Sequence, residues 1–162
     1  MSIRRAAQFS MERTLKSCDL HRIYKISFEN NMKYVGQTKR MPEVRLKEHK
    51  KTTSNCTLLK KEFEKNTPYS MTTLAVCGPH QVNVLEKVSI ALEDALGQHG
   101  LNMTIGGAGV KKPDTKYYKF CEDVKLVKAL VDTKHFVSYD ILFMRGDISL
   151  TEDEFNAVKR FV

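Results

Sequence analysis

The chain has 162 residues, a net charge of +8 and an apolar share of 41%. That length suits one domain, or one domain with a small appendage, and supports a real core. No apolar run approaches the length that crosses a bilayer, and residues 1–20 hold no signal-peptide stretch, so a cytoplasmic protein without membrane contact is expected.

The charge is unevenly spread. Residues 1–60 hold fourteen Lys and Arg against five Asp and Glu, whereas residues 61–162 hold thirteen against fourteen. The whole surplus therefore lies in the first 60 residues. A clustered basic surface attracts polyanions, and nucleic acid is the commonest, although charge alone does not separate this from a merely soluble surface. The four cysteines are Cys18, Cys56, Cys77 and Cys121, none at zinc-site spacing from another, and free thiols are expected.

Met1 to Leu20 is polar and basic, and reads as an arm or a short helix. Ile23 to Phe28 is rich in strand formers, with Tyr24, Ile26 and Phe28 on one face. Glu29 to Met32 reads as a turn, since Asn tolerates left-handed backbone. Lys33 to Thr38 is the returning strand of a hairpin, with Tyr34, Gly36 and Thr38 on one face. Pro42 opens a helix at its first turn, and Glu43 to Lys51 places Arg45 and His49 on one side. A second helix is expected over Leu58 to Lys65, then a strand from Met71 to Cys77 ended by Gly78-Pro79.

The longest helix is expected from His80 to Leu96, with Gly97 as its stop and Leu85, Val88, Leu92 and Leu96 as its main stripe. Glu86 lies on the line Val82, Glu86, Ile90, so it should be at least partly buried. On the helix pattern alone a solvated edge is the better fit, since the helix also carries Glu93 and Asp94. Leu101 to Val110 holds the glycine-rich Gly106-Gly107-Ala108-Gly109, which matches no phosphate-loop spacing and suits a tight turn or close backbone approach. Residues 111–114 read as a linker. Helices are expected over Tyr117 to Leu130 and Ser138 to Arg145, and a last one opens at Thr151 with a capping box to Glu154.

Five of these elements, in order, resemble the GIY-YIG nucleases. Arg22 to Ile26 and Lys33 to Thr38 look like the paired tyrosine motif, with Tyr24 and Tyr34 ten residues apart. Arg45 and His49 match the helical R-x-x-x-H, and Leu85 to Gly109 resembles the block with a Glu-bearing helix, an Asn and a glycine-rich turn. Arg22 stands at the Gly of the first motif and Val35 at the Ile of the second. The resemblance spans about residues 21–109.

The resemblance implies an α+β fold, with a small central antiparallel three-stranded sheet flanked by helices and a nuclease domain at 21–112. The residues around it read as a basic arm at 1–20 and a short helical C-terminal extension at 113–162. It further implies a Mg²⁺-dependent DNA endonuclease, with Mn²⁺ able to substitute, of a free-standing homing, phage-encoded or restriction-like kind. The catalytic set would be Tyr24, Tyr34, Arg45, His49, Glu86 and Asn102, with Glu86 as metal ligand. Lys39, carried over from the family, and the neighbouring cations Arg40, Lys47, Lys50 and Lys51 would contact duplex DNA, and a homodimer is one way to cut both strands. Phosphodiester hydrolysis needs an activated water and stabilised charge on the phosphoryl oxygens, which a hard cation, a guanidinium and a proton relay supply.

Overall fold

The computed structural model describes residues 20–51, 56–97, 100–106, 113–135 and 138–161. The N-terminal arm, most of the glycine-rich segment and Lys111-Lys112 lie outside the described residues.

Strands β1 (His21–Phe28), β2 (Lys33–Thr38) and β3 (Tyr69–Cys77) form an antiparallel sheet in the order β2-β1-β3. The β1–β2 turn works as its asparagines dictate. Asn31 takes φ +67°, and the Asn30 side chain accepts from the Met32 amide at 3.1 Å. Between β1 and β3 the register slips beside Tyr24. Ile23 pairs with Ala75 but Tyr24 with Thr73, leaving Leu74 as the extra residue of a bulge. Such bulges re-aim a side chain, and this one falls at the first tyrosine of the hairpin.

The alternation of β1 and β2 divides the molecule. On one face Tyr24, Ile26, Phe28 and Tyr34 cluster with Leu59 and Leu101. Helices α1 (Pro42–Lys50) and α2 (Thr57–Glu64) belong to this side, with Leu46 and Phe63 packed against the cluster. On the other face Ile23 and Val35 join helix α3 (Val82–Leu92) through Leu85, Val88 and Ile90.

Helices α4 (Thr115–Asp132), α5 (Tyr139–Met144) and α6 (Glu152–Arg160) follow. Phe120, Val124, Val127, Phe155 and Val158 lie in the same cluster as Ile23 and Leu85, so the C-terminal helices extend the core behind the sheet. Their ends are fixed locally. The Thr151–Glu154 capping box is formed, and Asp114 caps α4 through the Tyr117 amide at 2.9 Å. Buried Asp123 accepts the amide and hydroxyl of Ser149, both at 2.9 Å, and ties α4 to the approach to α6.

One expected boundary is wrong. Helix α3 stops at Leu92, well before Gly97, so with 11 residues it is not the longest helix; that is α4, with 18. Asp94 takes φ +50°, the Ala95 amide donates to Ile90 O at 3.0 Å, and the Asp94 amide reaches Ala91 O at 3.4 Å. These are the two bonds of a Schellman stop, made with Asp in the left-handed position that Gly usually fills. The chain then folds back on itself. The Asn102 amide donates to Ala95 O at 2.9 Å, and a Cβ on Gly100 would lie 2.0 Å from that same oxygen, so only Gly fits.

Candidate active site

Tyr24 is fully buried, and its hydroxyl meets His49 Nε2 at 2.6 Å. Tyr34 stands edge-on to the His49 ring at 5.0 Å, and the two tyrosine rings are 6.2 Å apart. Gly36, which faces Tyr24 in the β1–β2 register, makes room for both. A Cβ there would lie 2.6 Å from Tyr24 Oη and 2.9 Å from Tyr34 Cε1. The glycine of the second motif is therefore a packing requirement, because the tyrosine tips occupy the space a side chain would need.

Arg45 lies one turn before His49 on α1 and interacts with both phenols. Burial opposes its charge, but the bond to Glu48 and the tyrosine oxygens outweigh that, and its pKa moves up. Glu48 Oε2 accepts from Arg45 at 2.7 Å, and Oε1 takes Arg40. That carboxylate titrates below the ordinary range, first because of the Arg45 bond. Glu48 was not singled out in the sequence, although its place three residues after Arg45 on a helix was a legible signal.

Proton affinities are pulled apart here. Burial raises the Tyr24 phenol well above its usual range, with Arg45 pulling the other way. Tyr34 is raised too, by burial first and then by Tyr24. His49 is pushed down to about 4, by burial first and then by the Arg45 charge. At neutral pH the site thus holds a neutral imidazole, two protonated phenols and a guanidinium.

Asn102 does not join this hydrogen-bonded group. Its side chain clasps the backbone of Val35, accepting the amide at 2.8 Å and donating to the carbonyl at 2.7 Å. The Leu101 amide likewise donates to Lys33 O at 2.9 Å. Residues 100–102 thus satisfy the outer edge of β2, the strand bearing Tyr34 and Gly36. Farther on, Gly106 at φ +86° reaches α3, where its Cβ would come within 3.3 Å of Glu86 Oε1. The glycine gives the close approach expected of that segment.

Glu86 is half-buried, as its line on the helix implied, and its Oε2 is buried. It belongs to the helix on the far face of the sheet from Tyr24. One turn earlier, Asn83 Oδ1 accepts from Gln37 of β2 at 3.1 Å, which ties this stretch of α3 to the strand next to Gly36. Of the surface cations, Lys39, Arg40, Lys47, Lys50 and Lys51 are all exposed, four of them on or flanking α1.

The family model of the GIY-YIG catalytic domain matches residues 20–93. Those residues belong to the GIY-YIG family. A GIY-YIG catalytic domain is that of an endonuclease, a phosphodiester hydrolase, and the family generally uses a divalent metal. No curated protein and no solved structure matches the chain. Among the described residues, no helix is long and apolar enough to cross a membrane, and Cys77 and Cys121 are free thiols.

The residues suit one kind of metal. Among the described residues, no three His, Cys, Asp or Glu gather as a ligand cage. Glu86, half-buried with its Oε2 buried, stands at the Glu position of the matching block. A small hard cation that keeps most of its waters, and takes one carboxylate plus substrate phosphates, fits such a donor set.

Proposed function

We propose that the protein is a Mg²⁺-dependent endonuclease of duplex DNA, with Mn²⁺ as a substitute, that uses Tyr24, Tyr34, Arg45, His49, Glu86 and Asn102. The observation that carries this reading is the 2.6 Å contact between Tyr24 Oη and His49 Nε2, beside a charged Arg45. Glu86 would hold the metal, which would supply charge neutralisation on the phosphoryl oxygens.

The protein side of the reaction follows from the proton affinities. A standing phenolate is negligible, because burial lifts Tyr24 above its usual range. The attacking water instead gives its proton to Tyr24 Oη while Tyr24 passes its own to His49 Nε2. The water oxygen forms the new P–O bond as the bond to the leaving sugar oxygen breaks, and that oxygen takes a proton from solvent while His49 later returns its own to solvent. The imidazolium so formed is offset by the bound phosphate anion. Arg45 grips two phosphoryl oxygens with its planar fork, and Tyr34 keeps Tyr24 and His49 in place by ring contact. Asn102 is a positioning residue that acts through the Val35 backbone.

DNA is supported as substrate by the basic segment, since residues 20–60 carry ten Lys and Arg against three Asp and Glu. Lys39, Arg40, Lys47, Lys50 and Lys51 contact phosphates on either side of the cut. The unit proposed for this chemistry is residues 21–112, with residues 1–20 as a basic arm and 113–162 as the extension. The extension buttresses α3 and is the surface on which a homodimer would form. Whether the enzyme is of the homing, phage-encoded or restriction-like kind is read from mapped cut ends on a defined substrate library.

The test is nicking of supercoiled plasmid by the full chain with Mg²⁺, with EDTA, and by purified Glu86→Ala. Nicking in Mg²⁺ alone, absent in the other two, is expected. Full activity in Glu86→Ala removes that residue as metal ligand, and no nicking under any divalent cation leaves a DNA-binding module in place of the enzyme.

A further inference from the structure

Lys50, which follows His49 on α1, lines a groove of about 550 Å³ together with Lys60, Phe63, Glu64, Thr67 and Tyr69. That size is in the range of sites for small, largely buried ligands. Its wall is aromatic. Phe63 meets Tyr69 edge-on at 5.2 Å and Phe28 edge-on at 5.4 Å. Phe28 and Phe63 also pack in the apolar cluster of Tyr24 and Tyr34, so the groove is rooted in the same packing as the catalytic tyrosines. Tyr69 stays 37% exposed at the groove.

The Lys50 ammonium lies over this wall, 4.8 Å from the Tyr69 ring centre and 5.4 Å from that of Phe63, and it donates to Tyr69 Oη. Two partly exposed rings beside a lysine ammonium, with Lys60 next to them, suit a ligand that is flat at one end and anionic at the other. A nucleotide has that chemistry: bases stack on aromatic rings irrespective of sequence, and lysines take the phosphate. In a paired duplex the base faces are hidden in the stack. Only an unstacked base reaches a protein ring.

We propose that this groove is a subsite for one unstacked nucleotide of the DNA strand flanking the cleaved phosphate, its base against Tyr69 and Phe63 and its phosphate on Lys50 and Lys60. Lys50 is the placeholder. Its long stem lets the ammonium leave the rings when the base arrives and follow the phosphate. The proposal rests on the endonuclease reading above. It adds that the enzyme prefers DNA with a nucleotide out of the stack near the site.

The experiment uses the full chain in EDTA, where nothing is cut. Two duplexes of equal length are compared, one fully paired and one with a single bulged 2-aminopurine. The expected result is binding roughly tenfold tighter to the bulged duplex, the order that one base–aromatic stack gives, with quenching of the 2-aminopurine fluorescence. Tyr69→Ala should abolish both, and Tyr69→Phe should keep both. Equal affinity with unchanged fluorescence in the wild-type chain overturns the proposal whatever the variants do. Quenching that survives in Tyr69→Ala overturns the assignment to this groove. A chain that nicks plasmid but shows no preference loses only the groove, whereas a preference without nicking in Mg²⁺ loses only the enzyme.

Discussion

The two faces of the sheet are built on opposite terms. Behind β1 and β2, the face bearing Ile23 and Val35 disappears into a large apolar cluster with α3, α4 and α6. In front, the face bearing Tyr24 and Tyr34 joins a much smaller cluster with Leu59 and Leu101, and polar groups are buried beside it: His49 on α1 and Glu62 on α2. Apolar burial stabilises without direction, while buried polar groups fix geometry and must be satisfied. Apolar burial thus dominates behind the sheet, the proposed residues Tyr24, Tyr34, Arg45 and His49 lie in front, and Glu86 lies behind, with β2 as the shared edge. The front face also explains why its residues titrate abnormally. The burial that costs stability there is what keeps His49 neutral and the phenols protonated.

Substitutions should separate the two faces. The largest effect is expected from Arg45→Ala, which removes the cation beside both phenols. It should lower single-turnover cleavage by about 10²–10³-fold, the scale for losing one preorganised charge-stabilising group, while the thermal midpoint stays near wild type. Leu85→Ala, behind the sheet and 2% exposed, should do the reverse. It should cost about 2–5 kcal/mol in urea unfolding, as large-to-small core changes do, with specific activity of the folded fraction preserved. A large activity loss in folded Leu85→Ala would break the division.

Gly36→Ala tests the shared edge, because its new Cβ would collide with Tyr24 Oη. Both readouts should fall together, with a cost of about 1–3 kcal/mol typical of overpacking.

The buried histidine gives a pH signature. His49 ionises at about 4 when folded, against an ordinary value of about 6.5 in the unfolded chain. Between those values the unfolded state binds the extra proton, so stability rises with pH across this window. The contribution is complete above about pH 6.5 and is lost as pH falls toward 4. His49→Gln should flatten that part of the stability curve relative to wild type. An unchanged slope would mean that His49 titrates normally.

The smallest effect belongs to the exposed cations. Lys47→Gln should reduce the slope of log affinity against log salt by about one phosphate contact. A flat salt response in the wild-type chain would remove the basic segment from the DNA interface.

What the sequence disclosed follows from how local the signals are. The hairpin, with Asn31 in its turn, the Pro42 helix and the Thr151–Glu154 capping box are set by neighbours a few residues apart, and they appear where their residues put them. The tyrosine pair and the Arg45–His49 turn were legible for the same reason. The end of α3 was not, because Asp94 assumed a backbone conformation usually left to Gly, and tertiary contacts of Ala95 and Gly100 support it. The clasp of Asn102 on Val35 spans 67 residues and has no local mark. The Phe63–Tyr69 wall was equally hidden, since its rings come from a helix and a strand that meet only in the folded chain.

The central claim is that Glu86, on the helix behind the sheet, serves the same site as Tyr24 in front of it. The most direct test is a double-mutant cycle of Tyr24→Phe and Glu86→Gln in single-turnover cleavage with Mg²⁺. Groups that act as one unit are strongly non-additive, so the double variant should be about as slow as the slower single variant. Losses that multiply, or a Glu86→Gln rate equal to wild type, would contradict a single site shared across β2.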